Sequence, residues 1–452
     1  MMVLMKRTYI GDLKDHIETE AAISGWIDVV RDQGKMVFFD FRDMSGKVQG
    51  VVLPGNDELL ATARETRPEW VVTVTGNVNK RPEKMVKEGI ENGDIELEIK
   101  NIEIISRSAE LPFDRDADLN MDTLLDHRPL TLRRPRERAI FKVQNEIIQA
   151  YRDFLLGEKF TEFEAPKLVG EDAEGGGNIF KLEYFYEKYA YLATSPQLYK
   201  QIMVGVFERV FSIGNVFRAE KHATTRHLNE YTSLDVEFGF ITDHTDIMKL
   251  EMRLLRFMFE RLKERCAKEF ELLDATFPQI PEGDFPIMKL REAQKLITEK
   301  TGTDCTNEPD LEPEHERWLC EYSAKELGSD FIFITHYPVS KRPFYTYEDE
   351  NDPGFTKSFD LLFRGIEITT GGQRIHDHDV LIEKLKEKGL DPKRFEFYLS
   401  TFKYGMPPHG GWGMGLERLT EKFLGFSNVR EATLFPRDIN RIDERLSKEN
   451  EE

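Results

Sequence analysis

Two runs of alternating apolar residues flank a loop rich in arginine and histidine between residues 211 and 240. Alternation predicts strands, and two strands joined by one polar loop predict an antiparallel hairpin. The loop includes Arg218, Glu220, His222, Arg226 and His227. A guanidinium group fits phosphate and carboxylate oxygens better than any other side chain. The stretch therefore predicts a hairpin tip that binds an anion, and the alternative is a surface hairpin whose charges are only solvated.

Two later segments and one earlier proline extend this pattern. Residues 364–374 read RGIEITTGGQR, and residues 410–420 read GGWGMGLERLT. Pro166 ends a strand-like stretch that follows an amphipathic helix pattern starting at Arg138. Together with the hairpin, these segments resemble the three signature motifs of the class II aminoacyl-tRNA synthetases. The resemblance is strongest to the aspartyl-tRNA synthetases of the archaeal and eukaryotic type, and it covers nearly the whole chain.

The resemblance implies an α+β chain in which an N-terminal OB-fold β-barrel precedes a class II catalytic domain. That catalytic domain is built on an antiparallel β-sheet flanked by helices. The expected ranges are 1–106 for the barrel, 107–137 for a hinge or linker, and 138–452 for the catalytic domain, with an insertion at about 283–345. We assign the insertion no chemistry, and we expect Pro112, Pro129 and Pro135 to break any helix in the linker.

The barrel is also indicated by the residues themselves. Five short β-rich runs separated by turn signals suit a five-stranded barrel, an architecture that binds oligonucleotides. The segment GWIDVVRDQGKMVFFDFRD resembles the anticodon-binding barrel of the same family. That resemblance assigns the anticodon contacts to Arg31, Phe38, Gln49 and Glu83. An exposed aromatic ring can stack on an unpaired base, although Phe38 taken alone is more typical of a buried core.

The reaction that the resemblance implies is the activation of an amino acid by ATP. The carboxylate of the amino acid attacks the α-phosphorus and expels pyrophosphate. Because this nucleophile is already an anion, the site needs no general base, and it must instead align the reactants and neutralise charge. Arginines and metal-binding carboxylates are the side chains expected for that task.

By resemblance, Arg218, Arg418 and Glu367 are the catalytic residues. The ATP-binding residues implied by the family are Arg218, Ala219, Glu220, Arg226, His227, Leu228, Tyr231, Glu367, Gly415, Leu416, Glu417 and Arg418. Glu367, helped by Thr370, is expected to bind Mg²⁺. A carboxylate beside a triphosphate is unfavourable without a cation between them, which gives this metal assignment its physical reason.

By the same resemblance, the substrate side chain decides which synthetase this is. The expected aspartate-binding residues are Glu174, Gln197, Lys200, Arg218, Asp235, Thr370, Arg374 and His409. Arg374 with Lys200 would meet the side-chain carboxylate, and Asp235 with Glu174 would meet the ammonium group. A charged hydrogen bond contributes about 1.5–3 kcal/mol, which favours aspartate over asparagine. The alternative for any single arginine is a structural ion pair.

Composition constrains the partners only weakly. The net charge of −20 argues against a nucleic-acid partner, and only local basic clusters offset it. No apolar stretch approaches a membrane span, and three cysteines are too few for a disulfide framework. We therefore expect a cytoplasmic protein that has no membrane partner. The resemblance adds a homodimer, held by the helix and strand that precede Pro166.

Three rival functions share some of these features. They are an asparaginyl-tRNA synthetase, an asparagine synthetase that aminates aspartate through the same adenylate, and a catalytically silent tRNA-binding relative. Arg374 with Lys200 argues against the first, the intact barrel against the second, and the arginine clamp against the third. The sequence leaves open whether the barrel accepts tRNA(Asp) alone or also tRNA(Asn). Charging of both would require an amidotransferase partner.

Overall fold

The computed structural model describes residues 6–114, 116–171, 178–222 and 224–446. The chain forms two compact units, Met1–Ala117 and Asp118–Glu452. None of the helices in the described ranges is long and apolar enough to cross a membrane.

The first unit is a closed five-stranded barrel with the strand order β1-β2-β3-β5-β4. Its strands are β1 Glu20–Asp32, β2 Val37–Arg42, β3 Lys47–Val52, β4 Val71–Lys80 and β5 Ile95–Ser106. Helix α1 (Asp57–Glu65) and two short 3-10 helices, Ile10–His16 and Glu83–Met85, complete the unit. The predicted OB-fold barrel is confirmed.

Alternation explains why these sequences form a barrel. Along β4 and along residues 95–99 of β5, every second side chain is buried, so one face of each strand lines the core. The rings of Phe39 and Phe41 stack at 5.1 Å in that core. Gly76 allows the barrel to close tightly, because a Cβ atom there would lie 2.2 Å from the Glu98 carbonyl oxygen.

The second unit contains a large sheet flanked by helices. Its strands are β6 Thr161–Glu162, β7 Leu168–Val169, β8 Lys181–Tyr184, β9 Lys188–Leu192, β10 Arg209–Phe217, β11 Glu230–Gly239, β12 Ile287–Lys289, β13 Phe331–Thr335, β14 Ser358–Phe363, β15 Ile366–Arg374 and β16 His409–Gly415. Its helices are α2 Met121–Asp126, α3 Arg128–Thr131, α4 Pro135–Gly157, α5 Gln197–Phe207, α6 His244–Arg265, α7 Ala267–Leu272, α8 Leu290–Thr301, α9 Pro313–Glu326, α10 His378–Glu387, α11 Glu396–Lys403 and α12 Leu416–Phe423.

Eight strands form the central sheet in the order β12-β13-β14-β15-β16-β11-β10-β6. Every pair from β13 to β10 is antiparallel, and only the outermost pair at each edge is parallel. Strands β7, β9 and β8 form a separate small sheet. The predicted hairpin is confirmed as β10 and β11, and the α+β sheet architecture is confirmed with it.

Two expectations from the sequence are wrong. Pro129 and Pro135 do not break helices, because each stands in the first turn of one, where a missing N–H costs no hydrogen bond. The stretch 283–345 is not merely packed on the sheet. Its strands β12 and β13 extend that sheet, and its end reaches the cavity described below.

Helices α4 and α6 cover one face of the sheet and form the largest core with it. Glu251 of α6 lies fully buried there. Burial raises the pKa of Glu251 to about 8, and a contact with Thr369 offsets only part of this rise. The side chain is therefore mostly neutral at pH 7.

This carboxyl group predicts a pH-dependent stability. Between the ordinary pKa of about 4.3 and the folded-state value, the native state binds more protons than the unfolded state, so stability falls as pH rises. Relative to Glu251→Gln, the wild type should lose up to about 1.4 kcal/mol per pH unit across this window. Urea unfolding at pH 6, 7 and 8 measures the difference. Parallel pH dependences for the two proteins would contradict it.

Candidate active site

A cavity of about 460 Å³ lies in the second unit, where the β10–β11 hairpin meets strands β15 and β16. Most residues singled out from the sequence line it. These are Gln197, Lys200, Arg218, Glu220, Arg226, His227, Leu228, Tyr231, Asp235, Glu367, Thr370, Arg374, Gly415, Glu417 and Arg418. Residues from four separate stretches of the chain thus meet at one place, as an anion-binding hairpin tip would require.

Three of the predicted active-site residues that the structure describes do not line this cavity. Leu416 packs into the core, and the backbone N–H of Ala219 donates to the Asn178 carbonyl oxygen at 3.0 Å. His409 is fully buried beneath the cavity floor. Glu174 lies outside the described residues.

Four buried charged side chains lie at the floor of the cavity, and we call them the charged quartet: Lys200, Asp235, Glu237 and Arg374. Glu237 lies behind the other three, which line the cavity. The Lys200 ammonium donates to Asp235 Oδ1 at 2.9 Å and to the Trp412 carbonyl oxygen at 2.8 Å. Arg374 Nε donates to Glu237 Oε1 at 2.9 Å, and Glu237 Oε2 lies 3.5 Å from Lys200 Nζ. Two cations and two anions therefore balance one another.

Glu237 is the member of the charged quartet that the sequence did not single out. It is fully buried, and burial alone would raise its pKa. The cations of Arg374 and Lys200 outweigh that effect, so the pKa of Glu237 lies below its ordinary value. The signal available in the sequence was strand alternation, because Ser233, Asp235 and Glu237 share the face opposite the apolar residues of β11.

A neutral hydrogen-bonded layer supports the charged quartet from below. His409 Nδ1 lies 2.9 Å from the Pro407 carbonyl oxygen, which can only accept, so Nδ1 carries the proton. The other ring nitrogen then accepts from Gln201 Nε2 at 2.9 Å. Burial lowers the pKa of His409 to about 4. His409 therefore acts as a neutral support for Gln201, whose Oε1 accepts from Tyr398 and from Gln197.

Arginines from two motifs meet at the other end of the cavity. Arg226 Nη1 donates to Glu316 Oε2 at 2.9 Å, and Arg226 Nη2 donates to the Gly365 carbonyl oxygen at 2.6 Å. Arg418 donates to the Arg226 carbonyl oxygen at 3.4 Å and to the Glu367 carbonyl oxygen at 3.3 Å. The loop tip, the β14–β15 turn and α12 are thereby tied together around a cationic region.

Two carboxylates near this region suit a divalent cation. Thr370 Oγ1 donates to Glu367 Oε1 at 2.8 Å, and Asp360 faces Thr370 across β14 and β15. Burial raises the pKa of Asp360 above its ordinary value, and the Glu367 carboxylate adds to this rise while Arg342 opposes it. No group of three or more potential ligands occurs among the described residues. One or two carboxylates completed by phosphate oxygens is, however, the usual coordination of Mg²⁺.

The segment before β14 also contributes to the cavity, which the sequence did not indicate. Its lining residues are Lys341, Arg342, Pro343, Tyr345 and Thr346. Arg342 Nη2 donates to Asp360 Oδ1 at 2.7 Å, and its guanidinium lies 3.9 Å from the centre of the Tyr337 ring. This arginine adds a further positive charge beside the two carboxylates.

On the barrel, three of the four predicted anticodon residues are neighbours. Arg31 on β1 pairs with Phe38 on β2, and Gln49 on β3 pairs with Asp40 on β2. Arg31 forms two hydrogen bonds with Asp40, at 2.8 and 3.0 Å. Phe38 is only partly buried while Val37 and Phe39 lie in the core, so Phe38 is not a core residue. Glu83 is exposed in its 3-10 helix.

Comparison with known proteins adds a family to this geometry. Residues 120–439 match the family described as tRNA synthetases class II (D, K and N), and residues 21–105 match the OB-fold nucleic acid binding domain. The chain is 47% identical over 440 residues to the aspartate–tRNA(Asp/Asn) ligase of Thermus thermophilus, covering 96% of this chain and 99% of that protein. It is 46% identical over 447 residues to the protein of the same name from Deinococcus radiodurans, covering 97% and 99%.

A solved structure gives the same picture. The asparaginyl-tRNA synthetase from Pyrococcus horikoshii, complexed with asparaginyl-adenylate, superposes with a TM-score of 0.88 at 33% identity. The match covers 97% of this chain and 100% of that one. The fold of this chain is therefore shared with a protein named for asparagine, while the two relatives above are named for aspartate, so the fold alone does not identify the amino acid.

The charged quartet predicts a stability effect. Glu237→Gln removes one anion and leaves Lys200 and Arg374 with a single buried counter-ion. Breaking a buried ion pair costs about 3–5 kcal/mol, and we expect the lower end because glutamine still accepts one hydrogen bond. Urea unfolding at pH 7 measures this loss. Glu183→Gln, on an exposed strand, is the matched control. Equal stability of the two variants would contradict the prediction.

Proposed function

This chain belongs to the class II tRNA synthetases of the D, K and N group and is an aminoacyl-tRNA ligase, and from that membership we propose that its amino acid is L-aspartate. It would activate aspartate with ATP to aspartyl-adenylate and transfer the aspartyl group to the 3′ end of tRNA. The observation that carries this proposal is the pair of cations, Arg374 and Lys200, on the cavity floor.

The donor pattern of the floor favours a carboxylate over a carboxamide. Arg374 uses Nε and Nη2 for Glu237 and the Gly411 carbonyl oxygen. Among the described residues, its Nη1 group has no hydrogen-bond partner and is left for a ligand. A carboxylate presents acceptors only, whereas a carboxamide presents an NH₂ group that cannot accept from a guanidinium. This asymmetry supports aspartate even though the asparaginyl enzyme shares the fold.

The first step needs positioning rather than proton transfer. An oxygen of the substrate α-carboxylate attacks the α-phosphorus of ATP, and the bond to the pyrophosphate oxygen breaks. Arg218, Arg226 and Arg418 line the cavity and would neutralise the charge that spreads over the phosphates. Burial and then the nearby Arg418 lower the pKa of His227, so it stands as a neutral hydrogen-bonding group. In the second step, a terminal ribose hydroxyl of tRNA attacks the acyl carbon, and AMP leaves.

Glu367 and Asp360, with Thr370, are the residues we propose to hold Mg²⁺. Burial raises the pKa of Asp360, and the nearby Glu367 carboxylate raises it further, so a cation between the two carboxylates would be stabilising. When bound with ATP, the ion would offset the negative charge of the phosphates. Arg342 beside Asp360 would share that task from the protein side.

We assign tRNA recognition to the barrel. Phe38 would stack on an anticodon base, Gln49 and Glu83 would contact base edges, and Arg31 would lie beside them, held by Asp40. Two relatives at 46% and 47% identity are named for both tRNA(Asp) and tRNA(Asn). We therefore propose that this barrel accepts both anticodons. Aspartyl-tRNA(Asn) would then need an amidotransferase to become asparaginyl-tRNA.

The remaining assignments follow from the same membership. We propose a cytoplasmic homodimer joined through α4 and β6, the helix and strand that precede Pro166. The barrel speaks against an asparagine synthetase that aminates free aspartate, because that reaction needs no anticodon reader.

Charging of purified tRNA(Asp) and tRNA(Asn) with labelled aspartate tests the proposed function. We expect both tRNAs to accept aspartate at rates within about tenfold of each other, since one anticodon position carries about 1.4 kcal/mol or less in a relaxed barrel. Charging of tRNA(Asp) alone would refute the dual specificity but would still support the assignment as an aspartate–tRNA ligase. If neither tRNA is charged while ATP is still consumed, the ligase assignment is wrong.

Phe38→Ala provides the internal control for that assay. Loss of a base-stacking ring costs about 1–3 kcal/mol, so the KM for tRNA should rise roughly 5- to 150-fold. Aspartate activation without tRNA should not change, because the cavity lies in the other unit. An unchanged KM for tRNA would remove Phe38 from the anticodon site.

A further inference from the structure

The side chain of Arg226 is held from a part of the chain that lies outside all three signature motifs. Its Nη1 group donates to Glu316 on α9 at 2.9 Å. Its Nη2 group donates to the Gly365 carbonyl oxygen at 2.6 Å. Helix α9 belongs to the 283–345 stretch, to which the sequence assigned no chemistry. A helix remote from the motifs thus fixes the position of a cavity arginine.

The Glu316 carboxylate contacts Arg226 from a position outside the cavity. Its side chain is 14% exposed, and it does not line the cavity. Among the described residues, Arg226 is the only hydrogen-bond or ion-pair partner of the Glu316 carboxylate. A mostly buried carboxylate without a cation would cost several kcal/mol, so Glu316 and Arg226 depend on each other. Glu316 can reach a ligand only through Arg226.

The second contact of Arg226, with Gly365, lies in the turn between β14 and β15. Arg364 and Gly365 both adopt positive φ there, at 46° and 89°. Helix α9 lies directly against this turn, because a Cβ atom on Gly365 would stand 3.1 Å from Arg317 Cγ. The next strand begins at Ile366 and carries Glu367 into the cavity. Helix α9 therefore contacts both the Arg226 side chain and the turn that leads into Glu367.

The arrangement leaves donors of Arg226 available for a ligand. A guanidinium group has five N–H donors, and the two contacts above use only two of them. Because Arg226 lines the cavity, its other edge can meet phosphate oxygens while the first edge stays on Glu316. The contact with Glu316 thus orients the arginine and does not compete with the nucleotide.

Charge placement explains why an anchor is needed. Glu367 and Arg226 line the same cavity, and Arg418 donates to the backbone carbonyl oxygens of both residues, so Glu367 is a neighbouring carboxylate that could pair with Arg226. An arginine released from Glu316 would be drawn towards Glu367, the carboxylate assigned to Mg²⁺. Holding Arg226 on α9 keeps the arginine for phosphate and Glu367 for the metal.

We propose that Glu316 is a positioning residue for ATP binding, which orients Arg226 towards the terminal phosphates from outside the signature motifs. The inference rests on the proposed function, since it takes the cavity to bind Mg·ATP. Glu316 itself touches no substrate.

Kinetics of aspartate-dependent ATP–pyrophosphate exchange and calorimetric binding of Mg·ATP test this role. Glu316→Ala should raise both the KM and the Kd for ATP about tenfold, the usual effect of losing one charged hydrogen bond. The KM for aspartate should change less than about twofold, because the charged quartet is untouched. Glu316→Gln, which keeps an acceptor, should fall between wild type and alanine. Glu321→Ala, an exposed carboxylate on the same helix, is the matched control.

A double variant separates positioning from general structure. In an Arg226→Ala background, Glu316→Ala should change the KM for ATP less than about twofold further, because its effect passes through Arg226. A full additional effect in that background would overturn the proposal, as would a Glu316→Ala variant that behaves like Glu321→Ala. Absence of exchange in the wild type, with Mg·ATP still bound, would instead refute the aspartate-activating function, and the binding data would still decide the role of Glu316.

Discussion

The second unit depends on the burial of two cations against two anions on the floor of its cavity. Placing a charge in the protein interior costs several kcal/mol, and only close pairing offsets that cost. Lys200 comes from α5, Asp235 and Glu237 from β11, and Arg374 from the end of β15. All three elements must therefore be in register before the floor is stable. Arg374 also lines the cavity, where we propose that its Nη1 group selects an acceptor-only side chain.

The central sheet meets this constraint because its two faces differ. On β11, Leu234 and Val236 pack into the core with α4 and α6, while Asp235 and Glu237 point to the cavity side. A shift of one residue would exchange these faces, so apolar packing and charge pairing fix the same register. Glycine on β16 completes the fit, since a Cβ atom on Gly411 would lie 1.9 Å from the Val236 carbonyl oxygen.

Sequence reasoning was strong where local pattern and chemistry coincide. The β10–β11 hairpin and the five-stranded barrel could be predicted from alternation, and the meeting of the arginine motifs could be predicted from the resemblance to a known family. Glu237, Asp360 and Glu316 were missed. Each is a single carboxylate whose partner is distant in the chain, at Arg374, Arg342 and Arg226 respectively. Alternation places Glu237 on the same face of β11 as Asp235, but spacing along the chain does not identify the distant arginine with which each carboxylate pairs. The prediction that Pro129 and Pro135 break helices was wrong because proline is accepted in the first turn of a helix, where both residues stand.

Exchange of labelled pyrophosphate into ATP, compared for aspartate and asparagine without tRNA, tests the central claim most directly. The readout depends on the cavity and not on the barrel. If the charged quartet selects a carboxylate, kcat/KM should favour aspartate by about tenfold or more, the effect of one charge-assisted hydrogen bond. Equal values, or a preference for asparagine, would contradict the assignment of Arg374 and Lys200 to the substrate side chain.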